Sequence, residues 1–284
     1  MTAPPALFPT VGIIAGGGVL PFSVAELLRA RGRPAFLFAI RGFCDPVRVA
    51  QYPHHWIALG QVGRLTRLLR AEGCDDVVFI GGLVRPALSE IRLDLGTLRA
   101  VPAIAKALRG GDDHLLTGIS RIFEDHGFRV VGIQDVAPEL VMPEGSITRS
   151  TPDADALADI AKGRDLMRAI SPFDVGQAVV VIDGHVVAVE DIEGTDQLLA
   201  RVARLRAEKR IRAKPGRGVL VKTPKVQQDL RFDLPTLGPK TIDGIVAAGL
   251  AGIGIVAGRT LVAEADVMTA KADAAGLFVT GLPL

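Results

Sequence analysis

Hydrophobic residues fall in short dense runs separated by glycine, proline and charge, and the runs alternate in kind. Val11 to Ala15 is uniformly apolar and stops at Gly16-Gly17-Gly18, whereas Phe22 to Ala30 places its apolar residues at helical spacing. The first pattern is that of a strand buried on both faces, the second that of a helix with one buried side. The order then recurs. Ala35 to Ala39 and Trp56 to Leu59 read as strands, Gln61 to Ala71 as a helix through Val62, Leu65, Leu68 and Leu69, and Asp76 to Ile80 as a strand ending in Gly81-Gly82. Helices are predicted over Leu98 to Leu108 and His114 to His126, the latter capped by Asp112 or Asp113, and a further strand over Phe128 to Ile133. Strand and helix in alternation predict a near doubly wound parallel sheet covered on both faces.

From Asp135 to Ser150 the pattern breaks around Pro138, Pro143 and Gly145, which predicts a crossing into a second domain. The boundaries expected are a first domain over 1–137, a linker over 138–152 and a second domain over 153–284. Thr151-Pro152-Asp153 starts a helix that runs to about Ile170. Ala178 to Ile182 and His185 to Glu190 flank Asp183-Gly184, the signature of a hairpin with a type I′ turn. A polar run, Glu190 to Asp196, leads into a helix over Gln197 to Arg206, with Thr195 or Asp196 as its cap. A basic linker, Glu208 to Gly216, precedes a strand at Gly218 to Val221. Helices follow at Thr241 to Gly249 and Ala265 to Ala275, and strands at Gly252 to Val256, Thr260 to Val262 and Leu277 to Thr280. This half is α/β with mixed strand direction.

Composition narrows the class. In 284 residues, 49% are hydrophobic, enough for full cores, and 33 Lys plus Arg against 31 Asp plus Glu leave a formal net charge of +2. That balance disfavours a nucleic-acid partner, as does an aromatic content of 5%. Cys44 and Cys74 lack metal-site spacing and read as core thiols of a reducing compartment. The five histidines are scattered, so no His metal cluster is expected. MTAPPALFPT has no cationic leader pattern and no run is long enough to span a bilayer, so a cytoplasmic protein is expected, with contact to a membrane surface left open.

The chemistry concentrates in Lys222 to Gly238, KTPKVQQDLRFDLPTLG. Acceptors, cations and prolines without an apolar period cannot be buried unless paired, so the stretch reads as a site loop or, more plainly, as a solvated one. Lys222 and Arg231 suit phosphate oxygens, and Asp229 and Asp233, four residues apart, suit a hard divalent cation or a water to be deprotonated. Gln228 and Thr236 add polar contacts. Gly16, Gly17 and Gly18, and again Gly81 and Gly82, end strands where open α/β sheets take ligands. The spacing is not GxGxxG, however, and Arg41 stands where a dinucleotide site needs an acid, so an NAD fingerprint fails.

Several ordered motifs resemble one family. DVGQAVVV (Asp174 to Val181), EGTD (Glu193 to Asp196) and LVKTPKVQQDLRFDLPTLGPKTI (Leu220 to Ile242) are similar to segments of the LpxI family of UDP-2,3-diacylglucosamine pyrophosphatases, and so are IIAGGGVLP, FIGGLVRP and GDDHLL. Val226 departs from the proline expected there. The resemblance implies a Rossmann-like N-terminal domain, a C-terminal α/β catalytic domain and a substrate cleft between them. It implies Mg²⁺-dependent hydrolysis of UDP-2,3-diacylglucosamine to UMP and 2,3-diacylglucosamine 1-phosphate (lipid X) in a Gram-negative lipid A pathway, with water attacking the β-phosphorus. Asp233 matches the family's critical aspartate, with Asp229 next, both as catalytic and as metal residues. Gln177, Glu193, Gly194, Thr195 and Asp196 join the glycine turns, Lys222, Gln228, Arg231 and Thr236 as substrate contacts. A nucleotide-sugar or lipid-binding protein without turnover and a Rossmann-type dehydrogenase stay as alternatives; the acyl-chain pocket and the oligomeric state are not legible.

Overall fold

A computed structural model of the chain describes residues 9–83, 94, 112–225, 229–232 and 234–283, with backbone alone for 112–117. The helix expected at Leu98 to Leu108 and the capping side chains of Asp112 and Asp113 lie outside the described residues, as do Val226, Gln227, Gln228 and Asp233. The chain forms two compact units. One is built on residues up to Pro138 and is joined by 229–232; the other holds residues from Glu139 onward, apart from that short return.

In the first unit the elements run β1 (Thr10–Ala15), α1 (Leu20–Ala30), β2 (Ala35–Ile40), α2 (Pro46–Val49), β3 (His54–Ile57), α3 (Val62–Ala71), β4 (Cys74–Ile80), α4 (Asp112–Asp125), β5 (Arg129–Val130) and α5 (Ile133–Val136). The strands pair in the order β3-β2-β1-β4-β5, all parallel. Alternation along β1 decides which side each helix covers. Ile14 packs with Phe38, Val77, Leu65 and Leu69 beneath α3 and α4, while Val11 and Ile13 face the other side, where α1 lies. Each such fully buried aliphatic side chain contributes about 1.5–3 kcal/mol. The strand expected over Phe128 to Ile133 is shorter, because the Asp135 carboxylate accepts from the Gly132 N–H at 3.0 Å and turns the chain into α5.

The second unit contains β6 (Gly145–Ser146), α6 (Ala154–Ile170), β7 (Ala178–Ile182), β8 (His185–Val189), α7 (Gly194–Ala207), β9 (Val219–Lys222), β10 (Thr236–Leu237), α8 (Pro239–Ala248), β11 (Gly252–Val256), β12 (Leu261–Val262), α9 (Ala265–Ala274) and β13 (Phe278–Leu282). Its main sheet runs β6-β13-β11-β9-β7-β8. The β13, β11 and β9 pairs are parallel and those of β6, β7 and β8 antiparallel, the mixed direction read from the sequence. Val179, Val181, Val219 and Val221 pack under α6, whereas Val180, Leu220 and Ile253 face α7, α8 and α9 on the opposite side. The hairpin turn is as expected, with Asp183 at φ 48° and Gly184 at φ 74°. Its two N–H groups are held by the buried Asp159 carboxylate, at 3.0 and 2.6 Å.

Residues 139–152, expected as a linker, belong to this second unit. Met142 is 1% exposed, its N–H reaches the Thr260 carbonyl at 2.8 Å, and β6 pairs with β13. Periodicity cannot announce a strand of two residues, which is why the segment reads as a loop.

Candidate active site

The two glycine turns meet at the edge of the parallel sheet. The strand order reverses between β1 and β4, and open α/β sheets bind ligands at the C-terminal ends of the neighbours where it does so. Gly17 and Gly82 exchange N–H to carbonyl bonds at 2.8 and 2.9 Å, and the Gly16 N–H donates to the Ile80 carbonyl at 2.8 Å. No side chain fits. A Cβ on Gly16 would lie 2.8 Å from the Gly82 carbonyl oxygen, and one on Gly81, at φ 103°, would lie 2.7 Å from that of Gly17. The Cys44 thiol donates to the carbonyls of Ala15 and Gly16 at 3.0 and 3.1 Å, and burial raises its pKa. It is a structural thiol.

The middle of the site loop also belongs to the first unit. Phe232 lays its ring 5.1 Å from that of Phe79, two residues before Gly81, and Phe79 in turn meets Phe123 edge-on at 5.3 Å. Next to this anchor, Arg231 is gripped by carboxylates from two directions. Its guanidinium donates to Asp229 at 2.8 Å and to Glu124 of α4 at 2.8 Å. The Arg231 N–H also reaches Asp229, at 3.1 Å. The hydrogen bond from Arg231 holds the Asp229 carboxyl below its usual pKa, and the two acids raise that of Arg231.

So arranged, Asp229 is a weak proton acceptor and turns both oxygens to Arg231. Among the described residues no three acidic, His or Cys side chains converge to hold a cation. A stability consequence follows. Because its folded pKa is depressed, Asp229 stabilises the fold above the unfolded carboxylate pKa of about 3.9 and ceases to do so as pH falls through the lower folded value. Denaturant titrations at stepped pH are expected to separate wild type from Asp229→Asn by a constant gap above about pH 5 that closes in more acid solution. A gap that persists unchanged to the most acid point would exclude the ion pair as its origin.

In the second unit, Lys222 ends β9 beside the start of β7, with which it pairs at Ala178. Its ammonium donates to the Thr195 hydroxyl at 3.1 Å and to the Thr236 carbonyl at 3.2 Å. Thr195 donates onward to Glu190 at 2.8 Å, and the other Glu190 oxygen accepts from the Gln177 N–H at 2.8 Å. Glu190 is 7% exposed. Four expected residues, Gln177, Thr195, Thr236 and Lys222, are thus joined, three of them through a carboxylate that was not singled out. The signal was an acid closing the run HVVAVE: a charge entering a core needs partners close by.

Other expected residues stand differently. Thr195 and Asp196 do not cap α7, which starts one turn earlier at Gly194 (φ 77°); Thr195 serves Glu190, and Asp196 pairs with Lys240 at 2.5 Å. Glu193 pairs with Arg201 at 2.7 Å. Asp233 and Gln228 lie outside the described residues. Two recesses, one lined by Asp155, Asp159 and Arg217, the other by Arg33, Asp76 and Arg129, open at the N-terminal ends of strands, away from these clusters. In the second, Asp76 is buried between Arg33 at 2.5 Å and Arg129 at 2.6 Å, a structural ion pair.

A guanidinium between two acids and an ammonium on a hydroxyl that a buried carboxylate orients are cations of the kind that polyanion recognition uses. Comparison with known proteins gives these parts a lineage. Residues 10–140 match the family model described as the LpxI N-terminal domain, and residues 143–280 the one described as the LpxI C-terminal domain. UDP-2,3-diacylglucosamine pyrophosphatase LpxI of Caulobacter vibrioides is 43% identical over 272 residues, covering 96% of this chain and 97% of that protein. Both domains match in order and the relative aligns from end to end: the chain belongs to the LpxI family.

Proposed function

We propose that the chain hydrolyses the pyrophosphate bond of UDP-2,3-diacylglucosamine, giving UMP and 2,3-diacylglucosamine 1-phosphate, a step of lipid A biosynthesis. The match to the Caulobacter enzyme over nearly the whole chain carries this reading, and cations such as Lys222 and Arg231 suit phosphate oxygens. In the reaction a water oxygen bonds to the β-phosphorus, the bond from that phosphorus to the bridging oxygen breaks, UMP leaves as an anion and the water proton is released. Lys222 and Arg231 neutralise phosphate charge, Arg231 after exchanging part of its carboxylate contacts for substrate oxygens. Asp233 acts on the water or the metal.

Mg²⁺ dependence belongs to the same proposal and rests on Asp233, since Asp229 is occupied by Arg231. A bound Mg²⁺ would supply charge neutralisation on the phosphates. No helix of the described residues is long and apolar enough to cross a membrane. A cytoplasmic enzyme that touches the membrane surface is the form we propose. Two acyl chains hold the substrate in a lipid phase, and Phe173, 76% exposed, and Ile192, fully exposed, flank β7 and β8 at the edge where Gln177 and Glu190 lie.

The decisive measurement incubates purified protein with UDP-2,3-diacylglucosamine in detergent micelles or vesicles. UMP release that stops with EDTA and returns with Mg²⁺ is the expected result; intact, bound substrate would indicate a binding protein instead. In ¹⁸O water the label is expected in the sugar phosphate. Label in UMP would mean attack at the α-phosphorus.

A further inference from the structure

We propose that Glu190 is a positioning residue for the reaction, fixing the Lys222 ammonium through the Thr195 hydroxyl. The inference rests on the hydrolase reading above and names a residue that reading does not use. Three observations combine. Glu190 is a carboxylate with 7% exposure at the end of an apolar strand, a place where a charge needs a reason. Both of its oxygens are committed, one to the Thr195 O–H at 2.8 Å and one to the Gln177 N–H at 2.8 Å. The Thr195 oxygen then accepts from Lys222 at 3.1 Å.

The chain of bonds has a polarity. A hydroxyl carries one hydrogen, and with that hydrogen held by Glu190 the Thr195 oxygen presents its lone pairs to the Lys222 N–H. Glu190 can take that hydrogen only as an acceptor, and it must at the same time accept from Gln177. A carboxylate does both; an amide cannot. If a glutamine at position 190 turned its oxygen to the Gln177 N–H, its NH₂ would face Thr195, and the hydroxyl would lose the acceptor that fixes its hydrogen. In the opposite orientation the NH₂ would meet the Gln177 N–H. The side chain that differs from glutamate by one atom therefore breaks the same chain, and the ammonium, still bonded to the Thr236 carbonyl, loses an oriented acceptor at Thr195.

The test is a double-mutant cycle on UMP release, with thermal unfolding measured on every variant. Glu190→Gln is expected to lower kcat/KM about 30-fold, the size that loss of one charge-assisted hydrogen bond gives. In a Lys222→Ala background the same change is expected to cost less than about 3-fold, because its target is gone. Thr195→Val, which cuts the chain while sparing the Glu190 to Gln177 bond, is expected to follow Glu190→Gln and keeps the test alive should that variant misfold. Thr195→Ser recovers most of the loss. Equal costs of Glu190→Gln with and without Lys222 would mean a structural role and overturn the proposal, as would a Lys222→Ala enzyme of wild-type kcat/KM. Absence of UMP release from the wild type would overturn both this and the hydrolase reading, whereas robust release indifferent to these substitutions overturns this one alone.

Discussion

Asp233→Asn is expected to reduce kcat on UDP-2,3-diacylglucosamine by about three orders of magnitude while leaving the fold intact, since one positioned acid or base contributes about 10²–10⁴-fold. Asparagine keeps the size of the side chain and removes its charge. The residual activity separates the two roles. If Asp233 holds Mg²⁺, raising the metal concentration restores part of the rate; if it takes the water proton, raising the pH does. Wild-type turnover by a folded Asp233→Asn protein would remove this residue from the mechanism.

Gly81→Ala is expected to destabilise the first unit by about 4 kcal/mol, combining a positive-φ penalty of about 1–3 kcal/mol with an overpacking cost of similar size. The position is at φ 103° and the added methyl would meet the Gly17 carbonyl oxygen at 2.7 Å. That contact cannot relax cheaply, because it is with backbone and the turns are tied by the Gly17 and Gly82 bonds. A drop of roughly 10 °C or more in the unfolding transition is the measurable outcome for a domain of this size. A fall of under about 2 °C would mean that the turns are not rigidly paired.

Much of the architecture was legible because it is written in period. The apolar runs from Val11 and Ala35, the amphipathic spacing of α1 and α3, and Asp183-Gly184 each state a local structure that burial then enforces. The glycine turns were legible as turns. That they bond to each other was not, since Gly17 and Gly82 are brought together only by the parallel pairing of β1 with β4. Glu190 escaped notice for the same reason: it gains meaning from Gln177 and Thr195, thirteen residues before it and five after. The site loop left a solvated alternative open because its apolar content is sparse, yet Phe232 is an anchor and Thr236 begins a strand of two residues that pairs with β12.

That anchor changes how the chain can be divided. Residues 229–232 return to the first unit after the chain has built most of the second, so the units are not two beads on one thread. A gene fragment ending at Pro138 would encode every strand of the parallel sheet and still lack the ring that covers Phe79 and the guanidinium that neutralises Glu124. Nor would a single protease cut near residue 138 release a complete half. The first unit is finished only when ribosomal synthesis has passed residue 232, which makes its completion a late event in the life of the nascent chain.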